Sequence, residues 1–196
     1  MSLGDKRLRP VILTYAVQAL LLGVLVVYEG WEGRQTSLLL YGVAIIAVKG
    51  ITTPWYISWL SRRIGIEREL DPLLNIPLSL VAAGLCLLAA LKVSNGLNLP
   101  TADERVLVFA GLATVLLGLL TMATRRKAIT QSLGLLTMEN GAFLLSLTLA
   151  GGLPLAIELA IFLEVIVLVV LLGILFYRIR ETFDSLDASA MTSLGE

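Results

Sequence analysis

Six stretches of this chain read as almost unbroken apolar sequence: residues 11–28, 38–60, 74–93, 106–123, 129–150 and 155–177. Crossing the hydrocarbon of a bilayer takes about 17–25 mostly apolar residues in a helix. Without water, backbone groups can bond only to each other, which leaves a helix or a closed barrel as the spanning structure. The barrel fails on pattern, because runs such as 163–175 stay apolar on consecutive residues where barrel strands alternate. The connectors are short, and none is long enough for a soluble domain. The expected fold is an all-α integral membrane protein with six transmembrane helices. It forms a single transmembrane domain over 1–196, with 181–196 as a tail.

Composition excludes the main alternatives. The chain is 57% hydrophobic and 15% charged, with mean hydropathy +0.89. Ordinary soluble domains are about 45–50% apolar and about 25% charged. A soluble core of this size could not bury the excess. Fifteen basic and fifteen acidic side chains cancel, which argues against nucleic acid as a partner. There is no His, and Cys86 is the only thiol. That excludes His- or Cys-based metal sites, a disulfide scaffold and a Cys–His nucleophile. With those ligands missing, haem, nickel and iron–sulfur clusters have nothing to hold them, so no cofactor is expected. Gly-rich phosphate loops and nucleophile elbows are also absent from the sequence.

Basic residues set the expected orientation. Lys6, Arg7 and Arg9 precede the first span, Arg62, Arg63 and Arg68 follow the second, Arg125, Arg126 and Lys127 follow the fourth, and Arg178 and Arg180 follow the sixth. Those eleven face only Arg34, Lys92 and Arg105 on the other side. The positive-inside rule then puts both N and C termini in the cytoplasm, in a multi-pass protein of the inner (plasma) membrane. The first span is too long for a signal-peptide core and lacks a cleavage site, so it reads as a retained helix. Tyr28 and Trp31 at its outer end, and Trp55, Tyr56 and Trp59 toward the inner end of the second, suit interfacial anchoring.

Four charged residues fall inside the apolar spans: Lys49, Glu139, Glu158 and Glu164. An ionisable group at the bilayer centre costs about 2.5–3.5 kcal/mol on insertion scales, and such groups commonly mark ion pathways. At about 1.5 Å of rise per residue, Glu139 lies about 18 Å below the Gly151–Pro154 hairpin and Glu164 about 15 Å below it. The two carboxylates are therefore expected at similar depth on neighbouring helices, with Lys49 near the middle of its own span. Glu158 is shallower, one turn inside the outer face. Two readings follow. A carboxylate and an ammonium that alternate between paired and unpaired states can take up and release protons. Alternatively, Lys49 and one glutamate neutralise each other as a static buried pair. Pro54 lies just beyond Lys49-Gly50 and is expected to bend that helix. Asn140 and Gly141 directly follow Glu139, which favours water entry or tight helix packing there. Gln18, Thr14, Thr114, Thr121 and Thr148 carry no assigned role, and Cys86 reads as a small core residue.

The run Arg125-Arg126-Lys127-Ala128-Ile129, Gln131, Gly134-Leu135 and Glu139-Asn140-Gly141 resembles the hydrogenase-4 component E family, membrane subunits of complex-I-like hydrogenases. The likeness continues through Gly152-Leu153-Pro154, Glu158, Glu164, Tyr177-Arg178-Ile179 and Phe183-Asp184-Ser185-Leu186-Asp187, with Lys49 and Pro54 upstream. The part 106–178 is similar to subunit K of complex I and to the corresponding small subunit of multisubunit cation/proton antiporters. The resemblance implies a small protein packed beside antiporter-like large membrane subunits, serving a peripheral hydrogenase or dehydrogenase module. Glu139 and Glu164 then resemble the paired membrane glutamates of complex I. The first of those aligns nearer Leu136, one turn from Glu139, and the second corresponds to Glu158 or Glu164.

Three functions remain in competition. The first is a non-redox, non-catalytic subunit that lends Glu139, Glu164, Lys49 and Glu158 to proton or sodium translocation. The second is a scaffold that holds larger subunits together through buried ion pairs. The third is a stand-alone secondary transporter, suggested by the three-plus-three helix count.

Overall fold

The computed structural model describes residues 5–63, 75–125 and 128–150, together with Ile166, Val167, Val170 and Gly173. The elements are α1 (Asp5–Glu32), α2 (Thr36–Ile45), a π-helical segment (Ile46–Thr52), α3 (Thr53–Arg63), α4 (Ile76–Gly96), α5 (Ala102–Thr124) and α6 (Ala128–Ala150). From α2 through the π segment to α3 the chain is one continuous rod. Among the described residues every element is a helix, and five helices are long and apolar enough to cross a membrane: Leu8–Glu32, Thr36–Arg62, Pro77–Gly96, Ala102–Thr124 and Ile129–Leu149. The expected span 155–177 lies outside the described residues apart from Ile166, Val167, Val170 and Gly173, which are helical.

Local chemistry sets the ends of these rods. Past the end of α1, Gln35 N–H bonds to Gly30 O at 2.9 Å and Arg34 N–H to Trp31 O at 3.3 Å. These are the two bonds of a Schellman cap, and Arg34 takes the left-handed position at φ 52° that glycine usually fills. The cap reverses the chain within a few residues and folds α2 back on α1. At the start of α5 the hydroxyl of Thr101 accepts the N–H of Glu104 at 3.2 Å, covering one of the orphan donors of the first turn. Asp103 and Glu104 add negative charge where the helix dipole favours it.

Two antiparallel hairpins result, and small residues bring both together closely. In α5–α6, a Cβ on Gly118 would stand 2.6 Å from Met138 N, and one on Gly141 would stand 2.7 Å from Gly111 O and from Val115 N. In α1–α2, a Cβ on Gly42 would stand 2.8 Å from Val27 N. Backbones this close gain van der Waals contact where lipid offers no hydrophobic drive between helices.

The hairpins then meet along α1 and α6. On α1 the buried residues are Leu8, Ile12, Tyr15, Ala19, Leu22 and Val26. On α6 they include Ile129, Leu133, Leu136 and Phe143. The α1 series advances by alternating steps of four and three, and the α6 series by four, three and seven, the spacing of a narrow packing seam. α3 adds Ile57 and Leu60 to one core cluster, which Val167 also joins. α2 packs Leu38 and Ile45 against the other. In contrast, α4 packs on α5 and leaves Leu78, Leu80, Val81, Leu85, Leu88 and Leu91 exposed, an outward face that lipid can solvate.

The glycine contacts predict opposite outcomes at two sites. Gly118→Ala forces α5 off α6, an overpacking strain of about 1–3 kcal/mol. The full chain purified in detergent then melts several degrees lower, at about 2–4 °C per kcal/mol for this length. Gly84 has open space around its Cβ position, so Gly84→Ala holds or raises the melting temperature through its gain in helix propensity of about 0.5–1 kcal/mol.

Candidate functional site

The site is built where the rod α2–π–α3 passes α6. Pro54 has no N–H to donate, so the turn before it cannot complete an ordinary α-helical ladder. The chain answers by widening: Ile46–Thr52 is π-helical, and the N–H of Thr53 bonds to Val48 O, five residues back. The hydroxyl of Thr52 reaches Ala47 O at 2.9 Å, again over five residues. Wide turns of this kind recur at functional positions in helices. This one carries Lys49 and Gly50, both buried. A Cβ on Gly50 would stand 2.7 Å from Leu20 Cδ2, so α1 lies directly against the widened turn.

Across from it, α6 supplies Glu139. The ammonium of Lys49 donates a hydrogen bond to Glu139 Oε1, and the two form a salt bridge spanning 90 residues of sequence. Lys49 is 5% exposed and Glu139 3%. Each stands near the middle of its candidate span. Desolvating a charge costs several kcal/mol, and only a close, hydrogen-bonded partner offsets it. The pair satisfies that condition. Gly141, two residues on, lets the backbone of α5 press against α6 and fixes the helix that carries the glutamate.

Asn140 is 4% exposed and points elsewhere. It continues the buried series Ile129, Leu133, Leu136, Phe143 by the same three-and-four spacing, and so interrupts an apolar seam with an amide. It lines a cleft of about 290 Å³ between α1, α5 and α6, together with Gln18 and Thr114. Sequence reasoning gave those two no role. The usable signal was a lone amide in the otherwise apolar middle of α1. Thr114, Thr121 and Thr148 donate to carbonyls four residues back on their own helices, at 2.7, 2.8 and 2.9 Å. Of the residues expected to carry charge through the membrane, Lys49 and Glu139 are brought together, and Glu158 and Glu164 lie outside the described residues.

Comparison with known proteins adds context. The uncharacterized protein Rv0085 of Mycobacterium tuberculosis is 32% identical over 192 residues, covering 95% of this chain and 86% of that protein. Hydrogenase-4 component E of Escherichia coli is 26% identical over 181 residues, covering 92% of this chain and 84% of that protein. The protein of the same name from Shigella flexneri matches with the same identity and coverage. No family model matches the chain, and no solved structure does.

The geometry predicts a non-additive pair. Lys49→Met or Glu139→Leu alone strands a buried charge and costs about 3–5 kcal/mol. The double variant replaces the pair with apolar groups of similar size, so thermal unfolding of the full chain shows it more stable than either single variant. Equal and additive losses would mean that the two side chains do not act as a pair.

Proposed function

We propose that this chain, which belongs to the family of the Mycobacterium tuberculosis protein Rv0085, is a non-redox membrane subunit of a complex-I-like hydrogenase or a related multisubunit complex. Its similarity to Hydrogenase-4 component E over 92% of its length supports the placement. The observation that carries the functional reading is the Lys49–Glu139 pair, buried near mid-span on a widened helical turn. In low dielectric, a proton and the Lys49 ammonium are alternative ways to neutralise the same carboxylate. Making and breaking the pair therefore exchanges one for the other at a fixed depth. The turn that bears Lys49 departs from the regular α-helical ladder, which lowers the barrier to such a movement.

In this reading the protein lends buried carboxylates to proton or sodium translocation and performs no redox chemistry itself. Glu164 and Glu158 extend the chain of charge beyond Glu139. The part 106–178 corresponds to the complex I subunit K-like half. The protein crosses the inner membrane six times with both termini cytoplasmic. Antiporter-like large subunits flank it, and a peripheral hydrogenase or dehydrogenase module drives it. A scaffold role is the competing reading, favoured by the closely packed hairpins and by a pair that is closed in the structure.

The assembled complex in sealed proteoliposomes separates the two. Glu139→Gln keeps a carbonyl acceptor for the Lys49 ammonium, and uptake is read only from complexes that assemble. If the carboxylate serves translocation, ion uptake per redox turnover falls by about tenfold, the effect of about 1.4 kcal/mol on one step, and Glu164→Gln behaves alike. Wild-type uptake from both variants in intact complexes would leave the scaffold role standing and the translocation role refuted.

A further inference from the structure

The cleft between α1, α5 and α6 has a chemical character different from that of the ion pair beside it. Leu21, Leu22 and Leu25 of α1, Leu107 and Ala110 of α5 and Leu144 of α6 form its walls. Gln18, Thr114 and Asn140 supply polar atoms. Asn140 Oδ1 and Nδ2 and Gln18 Oε1 are buried, and none has a hydrogen-bond partner among the described residues. Thr114 directs its proton to Ala110 O at 2.7 Å, which leaves its oxygen lone pairs available as acceptors. Three side chains from three helices thus bring unmatched hydrogen-bonding capacity to one space.

An unpartnered amide in an apolar setting costs about 1–3 kcal/mol, and nearly all buried polar groups in folded proteins are bonded to protein or ordered water. What fills the cleft must supply both donors and acceptors, because Asn140 offers two of each and Gln18 presents an acceptor. An acyl chain supplies neither. A bare cation meets no carboxylate on these walls and leaves the donors of the Asn140 NH₂ group unmatched. Water supplies both, and immobilising it costs at most about 2 kcal/mol per molecule. Space is ample: a water needs only about 10–15 Å³ of such volume, against about 290 Å³ here.

We infer that Gln18, Thr114 and Asn140 form a water-binding site at the floor of the cleft between α1, α5 and α6. The site stands whether or not the protein conducts ions. It gives Asn140 a reason to occupy a seam position where a leucine would pack better. It also places exchangeable hydrogen-bonding molecules against α6 at the level of Glu139, the residue next to Asn140.

The test uses the full chain in its native membrane complex. In a Cys86→Ser background, Asn140→Cys and Gln18→Cys are exposed to the water-soluble reagent methanethiosulfonate ethylammonium, with Leu88→Cys on the outward face of α4 as control. Both cleft positions are expected to label at least ten times faster than the control. Radiolytic labelling of the unaltered chain in ¹⁸O water decides independently, including where a cysteine variant fails to accumulate. Leu22 and Leu144 are expected to take up label at a rate several-fold above Leu88. Leucine labelling no faster than that of Leu88 would overturn the inference and would mean that lipid or a neighbouring polypeptide fills the cleft.

Discussion

Two opposite charges held out of water constrain each other more than any apolar contact can. Lys49 and Glu139 stand on helices from different hairpins, and each loses its hydration in taking up that position. The attraction offsets the loss only while the partners touch. The rod α2–π–α3 must therefore pass α6 at one height and with one rotation. The widened turn before Pro54 carries the lysine at that point, and Gly50 lets α1 close over it. Apolar packing alone would tolerate sliding along the seam, whereas an ion pair sets the register.

The surrounding structure is rigid where the pair needs support. Backbone-to-backbone contact through Gly118 and Gly141 locks α5 to α6, and Gly42 does the same for α2 on α1. The two closely packed hairpins meet along the α1–α6 seam, with the charge pair crossing the junction. Asn140 is the other irregularity of this junction, an amide set in a series of isoleucine, leucine and phenylalanine. A single polar residue at such a position costs stability and is retained elsewhere for specificity.

Much of the helical architecture was legible because lipid restricts the choices so severely. Long apolar runs declare spanning helices, and the structure carries five such helices among its described residues. Of the aromatic residues expected to anchor at the interfaces, Trp31 and Trp55 are exposed, whereas Tyr56 packs against a core cluster. The four intramembrane charges stood out by type alone, yet spacing could not say which would meet. Depth arithmetic drew attention to Glu139 with Glu164, while the described contact is Glu139 with Lys49. Pairing is decided by which helices are neighbours, and the spacing within one helix does not state that. The π turn was hidden for a related reason: Pro54 announces a disturbance but does not say whether the helix will kink or widen. Gln18 and Thr114 went unassigned because a cleft belongs to three helices and to none of their sequences.

The length of chain between the two charges has a consequence for how the protein is made. Lys49 and Glu139 are separated by 90 residues, and ribosomes add about 5–20 residues per second. Lysine therefore reaches the translocation machinery roughly 4–18 s before its partner exists. During that interval the helix bearing it has nothing in the hydrocarbon to neutralise it, so its side chain stays drawn toward the interface or its span waits at the membrane edge. The first hairpin can be held meanwhile by the cap at Arg34 and the contacts at Gly42. Lys49 can take up its buried, paired position only once α6 is present, so the contact that sets the register is among the last that the growing chain can make.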